Sequence, residues 1–189
     1  MNTFRKFGLS VMAVLATLSL SSCSDDDDKD ENGGGSGNIT ATLDGASLGL
    51  STVYWYIDSE SSTSSTSNNI MAIEFYSYDP TNLKSFPNSI SYLSVNYEIP
   101  ATQTSIESAT IESGDYHIYV AKDVTMNSEG WQGETDYRAT TNSPLVITRD
   151  GNNITVSVAN AEISDWDTSK TLKLSYSGTI PMLPEQFQD

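Results

Sequence analysis

The chain contains one cysteine, Cys23, and one histidine, His117. A single cysteine excludes an internal disulfide and every multi-cysteine metal site, and a single histidine leaves little from which to build a histidine metal centre. Basic residues are also scarce, nine Lys and Arg against 25 Asp and Glu, giving a formal net charge of −16. A surface of that sign repels nucleic acid and anionic lipid head groups, so neither is expected as a partner of the folded part. No apolar run approaches the roughly 18 residues that a membrane-spanning helix requires. Beyond residue 38 helical periodicity is absent as well, and what remains is an alternation of period two.

The amino terminus has the three parts of an export signal. Arg5 and Lys6 precede an apolar stretch from Phe7 to Leu20, and small residues follow. Leu20-Ser21-Ser22-Cys23 resembles the lipobox of bacterial lipoproteins. The resemblance implies that residues 1–22 are a signal peptide and that Cys23 is lipidated and becomes the first residue of the mature chain. Burial contributes about 0.8 kcal/mol per methylene, so two or three long chains would hold the protein on a membrane almost permanently, anchored and not spanning.

Ser24, Asp25, Asp26, Asp27 and Asp28, with Lys29-Asp30-Glu31 behind them, resemble the acidic export signal that places Bacteroidota lipoproteins on the outside of the outer membrane. From charge alone the run reads as a self-repelling, solvated tether. Asp25 to Lys29 also spells the cleavage site engineered behind purification tags, but a cloned linker rarely sits directly behind an intact lipobox. Gly33-Gly34-Gly35-Ser36-Gly37 reads as a flexible Gly/Ser coil. Residues 23–37 are therefore expected to be a lipidated acidic and glycine-rich tether, and 38–189 a single domain.

Eight strands are expected in that domain: Asn38 to Leu43, Ala46 to Asp58, Ile70 to Tyr78, Ile90 to Ile99, Tyr116 to Ala121, Leu145 to Arg149, Asn153 to Val158 and Thr171 to Ile180. Asp44-Gly45 and Arg149-Asp150-Gly151-Asn152 supply hairpin turns. Ser59 to Asn69 and the segment around Trp131 read as loops. In Ile70 to Tyr78, Met71, Ile73 and Phe75 point one way and Glu74, Tyr76 and Tyr78 the other. One apolar face per strand excludes a parallel sheet and argues for an all-β fold, an antiparallel sandwich with an up-and-down barrel as the alternative. The C-terminal half, with Gly114-Asp115-Tyr116, the Ile147 to Val158 hairpin and Leu174-Ser175-Tyr176-Ser177-Gly178, is similar to uncharacterised Bacteroidota surface lipoproteins built as one small β domain. That resemblance brings no activity with it.

The residues argue against an enzyme. His117 falls on the polar face of its strand, with no Gly-x-Ser-x-Gly elbow or His-Glu-x-x-His near it. Carboxylate pairs such as Glu74 with Asp79, or Asp165 with Asp167, suit glycoside hydrolysis, yet in so acidic a chain they arise by chance. Asp58-Ser59-Glu60 and Asp165-Trp166-Asp167 offer oxygen for calcium but lack the regular spacing of a calcium loop. No cofactor or metal site is expected. The aromatics are more informative. Tyr54-Trp55-Tyr56 sets rings on both faces of one strand, so at least one ring should lie outside the core, and Trp131, Tyr137 and Trp166 sit beside carboxylates and amides as sugar-stacking rings do. The expected function is a non-catalytic binding or adhesion module, lipid-anchored through Cys23 in the outer membrane and facing the exterior, with glycan or peptide as the ligand where the loop tryptophans are exposed and a structural plug of the open end of the sandwich as the other reading of those rings. The alternative is a structural accessory subunit of an outer-membrane protein complex.

Overall fold

A computed structural model describes residues 34–35, 37–59, 68–82, 87–127, 130–139, 143–164 and 168–188, with the backbone only within 126–139. Cys23, Ser24, Asp25 to Asp28 and Trp166 lie outside the described residues. Eleven strands are present: β1 (Gly37–Leu43), β2 (Ala46–Ser47), β3 (Thr52–Asp58), β4 (Asn68–Tyr76), β5 (Ile90–Pro100), β6 (Ala109–Ile111), β7 (Tyr116–Asn127), β8 (Gly130–Ala139), β9 (Leu145–Asp150), β10 (Asn153–Ser164) and β11 (Ser169–Gly178). A short 3-10 turn, Glu185–Phe187, is the only helical element among the described residues.

All strand pairings are antiparallel and form two sheets, as a sandwich and not a closed barrel. One sheet runs β6-β9-β10-β11-β1-β2, and the other is built on β3-β4-β5-β7. Strand β8 lies beside β7 and reaches across to β10, where Ala139 and Arg138 face Ile163 and Ser164. A register shift between Val158 and Ala161, with Asn160 at φ 55, makes that crossing. Before the bulge β10 pairs with β9, and after it with β8. An extra residue bends and twists a strand, and here it hands β10 from one partner to the next.

Both expected turns form. Asp44 and Gly45 have φ 49 and 80, the left-handed pair that a type I′ hairpin demands. Gly151 has φ 61 at the first central position of the β9–β10 turn, where a II′ turn takes glycine. The expected long strand Ala46 to Asp58 is broken in two, because Gly49 adopts φ 63 and diverts the chain from the β1 edge into the second sheet. Two strands escape the sequence reading. Strand β6 has three residues, and β8 carries Gly130, Gly133, Glu134, Asp136 and Arg138, so no apolar alternation marks it. Trp131, expected in a loop, is in β8 opposite Met126.

Between the sheets lies one large apolar cluster, with Val53, Met71, Ile73, Phe75, Leu93, Val95, Ile118, Val120, Leu145, Val156, Ile163 and Leu172 completely enclosed. On β11 the expectation holds residue by residue, with Leu172, Leu174 and Tyr176 buried and Lys173, Ser175 and Ser177 facing solvent, and Ile180 just beyond the strand is buried in the same core.

Candidate functional site

The face of the β3-β4-β5-β7 sheet that points away from the main core is not the plain solvated surface that strand alternation suggests. Its residues follow from register. Thr52, Tyr76, Tyr92 and Ala121 form one cross-strand row; Tyr54, Glu74, Ser94 and Tyr119 a second; Tyr56, Ala72, Asn96 and His117 a third. Neighbouring strands lie about 4.8 Å apart, so each row is a line of adjacent side chains on one surface.

The half of this face on β3 and β4 is a second, smaller core. Tyr54, Tyr56, Ala72, Tyr76, Tyr78 and Leu183 are buried together, with Ile90, Tyr92 and Phe187 packed against them. Tyr76 meets Tyr54 and Tyr78 edge to face, at centroid distances of 6.4 and 5.5 Å, and lies 5.2 Å from Tyr92. Such geometries match the positive edge of one ring to the negative face of another.

Glu74 sits at the centre, 3 % exposed. Tyr56 donates to its Oε1 at 3.2 Å and Tyr92 to the same oxygen at 2.5 Å, while Tyr76 donates to Oε2. All three partners are neutral phenols. Burial holds the Glu74 carboxyl above its usual range, and the three phenolic hydrogen bonds oppose that rise without cancelling it. The phenols of Tyr56, Tyr76 and Tyr92 are pushed up in turn, first by burial and then by the neighbouring Glu74. A second carboxylate borders the cluster. Asp79 Oδ1 accepts from Tyr54 Oη at 2.8 Å and from both the backbone N–H and the hydroxyl of Thr81, whereas its Oδ2 is buried without a partner.

The cover is the C-terminal segment after β11. It turns back at Thr179 and runs parallel along β3, where the Trp55 N–H donates to Pro181 O at 3.1 Å and the Leu183 N–H donates to Trp55 O at 2.8 Å. Leu183 is buried in the tyrosine cluster and Phe187 packs on it. The rest of the face is more open. Asn96 and Tyr119 are partly exposed and His117 is exposed, with Asn96 Nδ2 donating to Ser94 Oγ at 2.9 Å.

The polar groups on this face offer hydrogen bonds and aromatic surface. Both oxygens of Glu74 already accept from phenols, and the row spacing places His117 two strands from Ala72, about 10 Å away. The spelling Gly45-Ala46-Ser47-Leu48-Gly49 matches a nucleophile elbow, but its serine is on the edge strand β2 of the other sheet and takes a hydrogen bond from the Gly49 N–H. No cluster of three or more metal-ligating side chains occurs among the described residues.

Of the rings expected to bind ligand, Trp166 lies outside the described residues, and Trp131 and Tyr137 are placed by backbone alone, six residues apart on β8 opposite Met126 and Val120, about 20 Å along the strand. Of Tyr54-Trp55-Tyr56, Trp55 joins the main core, and Tyr54 and Tyr56 lie outside it as expected, though under the C-terminal segment and not in solvent. Sequence reasoning missed the face as a whole. Half of the chain's ten tyrosines, Tyr54, Tyr56, Tyr76, Tyr78 and Tyr92, gather here, of which the sequence reading sets only Tyr76 and Tyr78 on the side of their strand opposite Met71, Ile73 and Phe75.

Compared with known proteins, the chain matches no family model, no curated protein sequence and no solved structure.

Proposed function

We propose that the protein is a lipid-anchored module displayed on the outer membrane that binds and does not catalyse, with glycan as its ligand class. The reading rests on the outer face of β3-β4-β5-β7. A sheet face turned to water is ordinarily furnished with small polar and charged side chains, and a core with aliphatic ones. Beside its buried tyrosine–glutamate cluster, the accessible half of this face sets Asn96, Tyr119 and His117, which pair flat aromatic surface with hydrogen-bonding tips, as sugar recognition requires. The anchor, the surface address and the Bacteroidota kinship come from the lipobox resemblance at Cys23 and the acidic run Ser24 to Asp28.

An accessory subunit of a larger assembly would call for a flat apolar face or an open strand edge. Met182 is the only large hydrophobic side chain exposed among the described residues, and the edge of β3 is bonded to the C-terminal segment. These observations favour the binding module.

The test uses a panel of neutral and acidic oligosaccharides titrated onto the mature chain, with Asn96→Ala and Tyr119→Ala as variants. Both partly exposed side chains should lower affinity, by a few kcal/mol for a ring that is a hot spot, with little change in melting temperature. Absence of saturable binding across the panel would remove the glycan reading. On cells, Cys23→Ala should abolish labelling by a tagged fatty acid. Alanines at Asp25 to Asp28 should keep the lipid but shield the domain from added protease.

A further inference from the structure

The last glycines of the tether are packed into the fold. The Gly35 N–H donates to Val53 O at 3.1 Å, on the edge of β3. A Cβ on Gly35 would stand 2.1 Å from Thr179 O, 2.8 Å from Val53 Cγ1 and 3.1 Å from Pro181 Cδ. On Gly34 it would stand 2.8 Å from Thr52 Cβ, and on Gly37 2.4 Å from Ser177 O and 2.8 Å from Tyr176 Oη. At Gly35 and Gly37 the nearest atoms are backbone oxygens that cannot yield to a side chain, so those two positions demand glycine, while at Gly34 a side chain would have to displace that of Thr52. A flexible linker places no such demand on its residues.

Thr179 and Pro181, against which Gly35 rests, are the root of the C-terminal strap, residues 179–188. Tyr176 Oη also donates to Thr179 O, at 2.7 Å. Tether, strap and the start of β3 therefore meet in one seam. Among the described residues the strap beyond Ile180 is bonded to β3 through the N–H and O of Trp55, and two further backbone hydrogen bonds, Phe187 N–H to Pro184 O and Gln188 N–H to Glu185 O, are internal to it. The side chain of Gln188 closes back on Leu183 O. Leu183 and Phe187 then cover the tyrosines around Glu74.

We propose that Gly34 and Gly35 act as a latch on the C-terminal strap, so that the state of the membrane tether governs access to the tyrosine–glutamate face. With the glycines docked, the root of the strap is clamped between them and β3 and the β3–β4 half of the face is closed, while the half bearing Asn96, Tyr119 and His117 stays open. When the tether is drawn away, the clamp opens at Pro181, and the part of the strap beyond Ile180, whose side chain stays in the main core, is left on two backbone bonds to β3 and the side chains of Leu183 and Phe187. Elements held by so few contacts open locally, without global unfolding. The proposal rests on the reading of this face as the binding face, and supplies its regulation.

The test is amide hydrogen exchange on the mature chain carrying Gly35→Val, with Asn32→Ala in the acidic part of the tether as control and Leu183→Ser as a variant that loosens the strap directly. Gly35→Val should speed exchange at Leu183 and Trp55 by about tenfold or more while leaving Ile73 and Val95 in the main core protected, and Asn32→Ala should change neither. Leu183→Ser should release the strap whatever the glycines do, which shows that the measurement detects opening. Unchanged protection at Leu183 in Gly35→Val overturns the latch. So does loss of protection at Leu183 and Ile73 to the same extent, since that is general destabilisation. A strap that opens as expected over a face that binds no oligosaccharide counts against the glycan reading and leaves the latch standing.

Discussion

The two cores of this protein are assembled from different chemistry. Among the described residues, the 27 buried between the sheets include three tyrosines, and the six buried under the strap include four. The first is held mainly by apolar area withdrawn from water, which is non-directional. The second joins ring contacts to a carboxylate whose lone pairs are occupied by phenols, so its stability depends on every hydrogen bond being made. It also lies on one side of a single sheet, with a ten-residue segment as its lid. The inner core thus fixes the fold, and the outer one can open without undoing it.

The largest effect expected from this contrast is in the inner core. Phe75→Ala should cost about 3–5 kcal/mol and lower the cooperative denaturant midpoint seen by every probe. A loss under 1 kcal/mol would show that the sandwich interior is not the main source of stability.

Glu74→Ala should cost less, about 1–3 kcal/mol for a buried donor left without its acceptor, and should act on the strap before the fold. Proteolysis near Met182 should rise while the far-UV signal of the sheets is retained. Simultaneous loss of both would mean that the two cores are one cooperative unit.

The pH dependence sharpens the distinction further. The folded Glu74 carboxyl titrates above its ordinary 4.5, so between that pH and its raised value the folded state holds a proton that the unfolded chain has released. Its contribution to stability is complete below pH 4.5 and is lost as pH rises through the folded pKa. Melting temperatures of the wild type and Glu74→Gln, measured from pH 4 to 8, should therefore diverge in slope over that window, and parallel curves would refute the linkage. At the alkaline end the raised phenols behave alike. Tyr176 is pushed up to about 12 by burial, and Tyr56, Tyr76 and Tyr92 are raised by burial and by Glu74. Stability present below pH 10 should fall above it, with phenolate absorbance appearing together with unfolding.

The smallest effect belongs to His117, which is exposed on the open half of the tyrosine face. His117→Gln should change stability by less than about 0.5 kcal/mol. If it alters oligosaccharide affinity, the binding face extends from the strap to β7.

Much of the inner core could be read from the chain because period-two alternation is a local property. Met71, Ile73 and Phe75, or Leu172, Leu174 and Tyr176, declare a buried side whatever strands lie next to them. Asp44-Gly45 and Asp150-Gly151 declare turns for the same reason, since φ above zero is a demand on single residues. Strand β8 was illegible because its partners β7 and β10, and not its own composition, make it a strand. The tyrosine face was illegible because tyrosine suits water and interior alike, so Tyr54, Tyr56 and Tyr76 on the outward parity did not reveal that a distant segment would cover them.

The sequence alone determined an all-β chain with one apolar side per strand and two glycine-bearing hairpin turns, because each of these is encoded within a few neighbouring residues. Only the tertiary structure decided that Glu74 would meet three phenols, that residues 179–188 would close over them, and that Gly34, Gly35 and Gly37 would be wedged against β3 and β11. Residues 179–188 reach Tyr54 and Tyr56, and Gly37 reaches Ser177, across more than a hundred residues, and the energy of all these arrangements comes from contacts that exist only after the sheets have formed.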